Sequence, residues 1–313
     1  MIARFDFTQR RFILAPLAGW TDPPFRAAVK RFGADLTVSE MISANALVHN
    51  LAKTKKLYEK SPLETPYAVQ IAGSDIQTLT KAAMTLSNET DIDIIDLNAG
   101  CPAQKVTRNG AGAALLKDPS LLGKLVGAIK RAAENKLISV KIRLGYDKNN
   151  GVEIARVCEE SGADFIAVHG RTKIGGFSAP VDYEAIGEIK TRLKIPAIAN
   201  GDIDSYEKAQ AVLDATNADG AMIGRGATGA PWIFAQLKNN LSSAGDTLMR
   251  SVILEHFDRA VEFYGERGAI LFRKHLHRYS KGREGAAAFR SAINRESDLL
   301  ALRAMIGEFF EAR

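Results

Sequence analysis

Eight short apolar, β-rich stretches recur along this chain, each followed by an amphipathic one, and that alternation restricts the fold more than any other feature. The stretches are residues 12–17, 36–39, 67–72, 92–97, 137–142, 165–169, 197–199 and 221–223. Between them lie helical patterns such as DPPFRAAVKRFG, SDIQTLTKAAMTLSNE and DPSLLGKLVGAIKRAAE. Asp22, Asp118 and the pair Asp204-Ser205 open helices, and Gly33 and Gly162 close two of them. Strand and helix alternating over about 230 residues match the count and size of a (β/α)8 barrel. A doubly wound open sheet is the competing architecture, but no Gly-x-Gly-x-x-Gly follows the first strand. The expectation is therefore an α/β protein built on a (β/α)8 TIM barrel over residues 1–241.

The rhythm stops after Trp232. Residues 246–313 read as helices alone, at 247–264, 269–280, 286–294 and a last one capped by Ser297, behind a polar linker at Ser242-Ser243-Ala244-Gly245. A small all-helical C-terminal domain is expected there. Its segment 267–295 carries Arg267, Arg273, Lys274, Arg278, Lys281, Arg283, Arg290 and Arg295 against the single acid Glu284, interleaved with Phe272, Tyr279 and Phe289. Two readings of that segment stand level, a nucleic-acid surface and a solvated basic face. The formal net charge of +6 suits an anionic partner without naming one.

Functional residues of a barrel gather just past the C-terminal ends of its strands. Candidate residues, polar at all places but the first, occur there: Pro16-Leu17-Ala18, Ser39-Glu40-Met41, Gln70, Asn98 and Cys101, Lys141 and Arg143, His169 and Arg171, Asn200-Gly201-Asp202, and Gly224-Arg225-Gly226. Cys101 stands out in DIDIIDLNAGCPAQKVTRNGAG, between Gly100 and Pro102 and with Lys105 and Arg108 behind it. A thiol on such a turn is either a positioned acid or nucleophile or a buried structural cysteine. The other cysteine, Cys158, falls on a helical pattern and reads as structural. Two distant cysteines without metal-ligand spacing argue against a disulfide framework and a zinc site, so no metal is expected. No apolar run nears the roughly 20 residues that span a bilayer, and the N-terminus lacks a signal-peptide core, so a cytoplasmic protein is expected.

The glycines and Arg225 after strands seven and eight suit a phosphate. Lys141, at the end of a buried strand, needs an anion or a strong dipole. The series APLAGWTDPPFR, VSEM, QIAG, DLNAGCPAQKV, KIRLG, HGRT, ANGDI and MIGRGATGAPWIF resembles the motifs of the tRNA-dihydrouridine synthases, most closely the bacterial B type, from about residue 13 to 234. The resemblance implies a flavoprotein barrel with a helical C-terminal domain that uses NADPH to reduce uridines in tRNA. It places Pro16, Leu17 and Ala18 along an FMN and Gln70 and Lys141 on its pyrimidine edge. His169 falls beside the cofactor, and Asn200, Gly201, Asp202, Gly224 and Arg225 fall at its phosphate. Cys101 becomes the acid that protonates C5 after flavin N5 gives hydride to C6. Asn98, Lys105, Arg143 and Arg171 are candidates for holding the substrate, although bracing of loops explains Asn98 and the two arginines nearly as well. The expected partners are tRNA, through its D-loop, and NADPH, with the protein a monomer. A flavoenzyme for free pyrimidines or dihydroorotate, an RNA-binding factor without catalysis, and a phosphosugar aldolase or isomerase are the competing functions.

Overall fold

The computed structural model describes residues 5–9, 11–239 and 245–311. Elements follow in the order β1 (Arg11–Leu14), α1 (Pro23–Arg31), β2 (Leu36–Val38), β3 (Ile42–Ser43), α2 (Ala44–His49), α3 (Leu51–Tyr58), β4 (Tyr67–Ala72) and α4 (Ile76–Ser87). Next come β5 (Ile94–Ala99), α5 (Gln104–Thr107), a 3-10 turn (Gly112–Lys117), α6 (Pro119–Ala132), β6 (Leu137–Arg143), α7 (Gly151–Glu160), β7 (Phe165–His169) and α8 (Tyr183–Arg192). The chain then runs through β8 (Ala197–Asn200), α9 (Tyr206–Thr216), β9 (Gly220–Ile223) and α10 (Ile233–Asn239), and ends in α11 (Asp246–Tyr264), α12 (Arg267–Tyr279), α13 (Ala286–Arg295) and α14 (Leu299–Phe309). All strand pairings are parallel, in the order β2-β1-β9-β8-β7-β6-β5-β4, and β2 pairs with β4 to close an eight-stranded barrel. The two-residue β3 adds a short pairing to β4, which the sequence reading lacked.

Alternation along the strands explains how the barrel is filled. Outward residues such as Leu14, Val69, Ile95, Leu97, Val140, Ile166 and Ala199 join the large core between sheet and helices. Inward residues start apolar at the bottom, where Ile13, Leu36, Ala68, Ile94, Phe165, Ile198 and Met222 form a separate core with Phe5 and Phe7 packed against it. Two residues further up, the same faces turn polar: Ala68 gives way to Gln70, Ile94 to Asp96 and Asn98, Ala167 to His169, and Ile198 to Asn200. The period of two thus stacks a dry floor under a polar mouth.

Several expected boundaries shift by a few residues. The first strand stops at Leu14 rather than residue 17, because Pro16 has no N–H for the ladder. The fourth barrel strand starts at Ile94 and runs on to Ala99. Asp298, not Ser297, caps the last helix, accepting from the N–H of Ala301. Asp22, Asp118 and Ser205 cap their helices as read. Most of the expected linker, Ser242 to Ala244, lies outside the described residues.

The C-terminal helices close around their own core of Val252, Ile253, Phe257, Phe272, Leu276, Phe289, Leu302, Ile306 and Phe310, to which the barrel-side Trp232 contributes. They are seated on the barrel through α11 against α1. Tyr264 donates to Asp22 Oδ2 at 3.2 Å, and Lys274 reaches the carbonyl of Gly19 in the loop after β1. Among the described residues no helix is long and apolar enough to cross a membrane.

Candidate active site

The strand ends surround a cavity of about 460 Å3 at the C-terminal mouth of the barrel. Pro16, Leu17, Ala18, Gln70, Asn98, Cys101, Lys141, Arg143, His169, Asn200, Gly201, Asp202, Gly224 and Arg225 all line it. Two of the candidates read from the sequence lie elsewhere. Lys105 lines a neighbouring cavity with Ser74, Asp75 and Asn109, because α5 carries it over the outer side of the loop. Arg171 is 4% exposed and is consumed by bracing: it donates to Ala179 O at 2.5 Å, to His169 Nε2 at 3.3 Å and to the carboxylate of Asp202.

Register explains which side chains meet. Gln70, Asp96 and Ser139 stand abreast on β4, β5 and β6, and Asn98 pairs with Lys141 one level up. Asp96 accepts from Gln70 Nε2 at 2.7 Å and from Ser139 Oγ at 2.5 Å. Gln70 Oε1 accepts from Asn98 Nδ2 at 2.7 Å. Asn98 Oδ1 in turn accepts from the backbone N–H of Cys101 at 2.9 Å and of Gly100 at 3.2 Å, which holds the cysteine loop over the mouth. A Cβ on Gly112, at φ +60°, would lie 2.8 Å from the carbonyl of Cys101, so only glycine lets the loop fold back on itself there. Cys101 is partly exposed at this position, whereas Cys158 is buried on α7, where burial pushes its thiol up to about 12.

Lys141 donates to Asn200 Oδ1 at 2.9 Å, and Asn200 Nδ2 donates to Met222 O at 2.7 Å. Burial, and then the charge of Arg143, lower the Lys141 ammonium to about 8. Arg143 is brought down to about 10 by burial and by Arg171; it donates to Gly100 O at 2.8 Å and lies 5.1 Å from the Phe177 ring centre. His169 is pushed down to about 2 by burial and the cation of Lys141, with Arg143 and Arg171 adding to the effect. Because a guanidinium only donates, the contact from Arg171 makes His169 Nε2 the acceptor, and the ring is neutral with its proton on Nδ1.

At the opposite rim Asp202 adopts φ +45° and lies between Arg171 and Arg225, contacting both guanidiniums. The hydrogen bond from Arg171 is the main reason its carboxyl falls below the usual range. Its carboxylate therefore serves to hold Arg225, not to meet an anion directly. Gly201, at φ +143°, packs so closely on Val181 that a Cβ would come within 2.7 Å of it.

Asp96 and Phe177 are contributors without a role in the sequence reading, and Arg278 and Lys281, read there only as part of the basic segment, reach the mouth as well. Asp96 lies inside the apolar run 92–97, where a carboxylate is itself a signal. Phe177, 54% exposed, lies at the rim with Arg143 and Arg225 each 5.1 Å from its ring centre. Arg278 and Lys281 arrive from α12 and the turn after it to line the mouth. The eight cations of residues 267–295 do not share one face. Lys274, Arg278, Lys281 and Arg290 line a shallow cavity of about 440 Å3 with Trp20 and His277, and it adjoins the mouth through Arg278 and Lys281. Arg273 instead donates to Glu296 O at 2.6 Å, Arg283 lies 5.3 Å from the Phe310 ring centre, and Arg267 lines a different cavity.

A closed parallel barrel with a cationic, donor-rich mouth at the strand ends is the class that the fold and the site define. Solved structures with this fold include an old yellow enzyme homologue from Zymomonas mobilis, at TM-score 0.55 and 15% identity over 75% of this chain and 90% of that one. A 2-naphthoyl-CoA reductase has TM-score 0.59 at 12% identity over 74% and 50%. More specifically, residues 13–307 match the family described as Dihydrouridine synthase (Dus), and the chain belongs to that family. It is 46% identical over 307 residues to a probable tRNA-dihydrouridine synthase of Helicobacter pylori, covering 97% of this chain and 94% of the relative. It is 40% identical over 313 residues to tRNA-dihydrouridine synthase B of Pseudomonas aeruginosa, covering 97% and 93%.

Proposed function

We propose that this protein is an FMN-dependent, NADPH-driven reductase that converts chosen uridines of tRNA to 5,6-dihydrouridine. The polarity of the mouth carries the reading. Lys141, Arg143, Arg225 and the amide N–H groups of Gln70 and Asn98 line it, and the carboxylate of Asp202 is taken up by arginines. Such a surface suits a ligand with a row of acceptor atoms at one end and a single phosphate at the other. The residues fit a flavin mononucleotide: the buried ammonium of Lys141 has one oxygen partner and calls for another acceptor, Gln70 stands beside it, and Gly201, Gly224 and Arg225 are grouped at the far rim. The flavin, when bound, supplies the hydride for C6 of uracil.

The chain's own groups do the rest. Cys101 Sγ holds the proton for C5, on a loop pinned by Asn98. Pro16, Leu17 and Ala18 give an apolar wall, and His169, neutral throughout the physiological range, offers an N–H without adding charge. Arg143 and Phe177 form a rim against which an extruded base and its backbone can rest. Residues 1–241 form the catalytic unit and 246–313 the tRNA-binding unit, through the cations that adjoin the mouth. NADPH uses the same mouth in alternation with RNA, and the protein acts as a cytoplasmic monomer on the D-loop.

The test is spectroscopic and chemical. The purified protein is expected to be yellow with the FMN bands, to be bleached by NADPH, and to form dihydrouridine in unmodified tRNA. Turnover of free uracil or dihydroorotate at a comparable rate would overturn the RNA assignment.

A further inference from the structure

Asp96 has no part in the chemistry above, yet it is 4% exposed in the barrel interior directly beneath the mouth. A carboxylate in that position is costly unless it organises its surroundings. Both of its oxygens accept hydrogen bonds, one from Ser139 and one from Gln70; burial raises its pKa, and those bonds together with the charge of Lys141 oppose the rise.

The direction of the whole chain of bonds follows from its two ends. The backbone N–H groups of Gly100 and Cys101 can only donate, so the Asn98 atom that faces them is Oδ1. Asn98 Nδ2 then faces Gln70 Oε1, and Gln70 Nε2 is left to face Asp96. The Asp96 oxygen opposite Gln70 Nε2 accepts from it. Every link is complementary, and turning either amide around sets donor against donor or acceptor against acceptor. We infer that Asp96 is a positioning residue: through Gln70 and Asn98 it sets the polarity of the mouth floor, leaving the second N–H of each amide for the ligand, and it holds the loop that carries Cys101. The ligand half of this inference rests on the flavin reading. The loop half does not.

The arrangement predicts a rescue that mere packing would not produce. Asn98→Asp breaks the polarity, because Gln70 then faces a carboxylate on both sides; Asp96→Asn alone keeps it, its Oδ1 accepting from Gln70 Nε2 and its Nδ2 turned to the Ser139 hydroxyl. Combined, they rebuild it in reverse: the new amide at position 96 donates to Gln70 Oε1, Gln70 Nε2 donates to the new carboxylate at position 98, and that carboxylate still accepts from Cys101 N–H. The experiment measures alkylation of Cys101 by iodoacetamide in flavin-free protein, where the buried Cys158 stays silent, alongside the dissociation constant for added FMN. Asn98→Asp should alkylate about tenfold faster than wild type, because Gln70 cannot donate to both carboxylates and the repelled side chain carries the Cys101 loop with it; Asp96→Asn should stay within about twofold of wild type, and so should the double variant. FMN affinity should fall in the two variants that lose the Asn98 amide donor. A wild-type alkylation rate in Asn98→Asp, or no recovery in the double variant, would overturn the proposal. Should a single variant fail to fold, recovery of a soluble double variant supports the relay, and failure of the double as well refutes it. Wild-type protein with no affinity for FMN would sink the flavin reading and leave the alkylation result standing or falling separately.

Discussion

Cys101 owes its place to two hydrogen bonds made by its backbone, not its thiol, and to one glycine. Asn98 holds its N–H, Ala113 N–H holds its carbonyl at 3.0 Å, and Gly112 gives the loop room to return. A proton donor on so fixed a loop is expected to be needed for turnover and dispensable for cofactor binding. Cys101→Ala should therefore lower dihydrouridine formation by about 100-fold or more while the FMN absorbance per chain is retained. Loss of flavin in that variant, or near-normal product, would remove Cys101 from the role of acid. At this scale the sequence was informative wherever a polar residue followed an apolar strand, as at Gln70, Asn98, Lys141, His169 and Asn200. It did not give the positions of Lys105 and Arg171 away from the central cavity, because nearness to a motif along the chain says nothing about which side of a loop a long side chain takes. It was silent on the use of Asp96, since nothing local reveals that Ser139 and Gln70 would stand on either side of it.

At the scale of elements, the loop after β5 and the helix α12 do separate work. Gly112→Ala would place a Cβ 2.8 Å from the Cys101 carbonyl and 2.9 Å from Val106 in a backbone conformation that disfavours it. The expected result is a loss of about 1–3 kcal/mol in stability and a displaced thiol. Thermal unfolding together with the Cys101 alkylation rate measures both, and an unchanged alkylation rate would contradict it. Helix α12 and the turn after it set Lys274, Arg278 and Lys281 beside Trp20, with Lys274 and Arg278 at 5.8 and 5.6 Å from its ring centre. Arg278→Ala and Lys281→Ala are each expected to raise KM for tRNA at unchanged flavin content and to lower the salt slope of binding by about one. Arg283→Ala, on the far side against Phe310, should leave that slope unchanged. The eight barrel strands were legible because β-branched runs between helical patterns have few other outcomes. The basic helix was legible as basic but not as divided, because a period of 3.6 residues distributes neighbouring cations around the axis. Helices α2 and α3 went unread, as did β3, whose two residues are too short to carry a pattern.

For the whole molecule, the joint between barrel and C-terminal helices is a buried polar cluster. Asp22, His256 and His275 bring oxygen and nitrogen atoms within 4.8 Å of one another, with His275 stacked on Phe25 and His256 Nδ1 2.9 Å from Tyr279 OH. Burial lowers His256 to about 3 and His275 well below the ordinary imidazole range, so both rings are neutral in the folded protein. In the unfolded chain they titrate near about 6.5. As the pH falls below that value the unfolded state takes up protons that the folded state refuses, and stability drops by up to about 1.4 kcal/mol per pH unit for each histidine. Asp22, raised by burial, opposes this only in the carboxylate range, where its proton uptake favours the folded state. Thermal midpoints measured from pH 7.5 to 5 should decline, and His256→Phe should flatten the decline. A flat wild-type profile would show that the histidines are not held neutral.

The central claim, a reductase for uridine in tRNA, is met most directly by mass spectrometry of nucleosides from the tRNA of cells lacking this protein, compared with the parent strain and with a strain carrying Cys101→Ala. Dihydrouridine should disappear from a defined set of tRNA positions in the deletion, stay absent with Cys101→Ala and return with the wild-type chain. An unchanged dihydrouridine content at every position would contradict it.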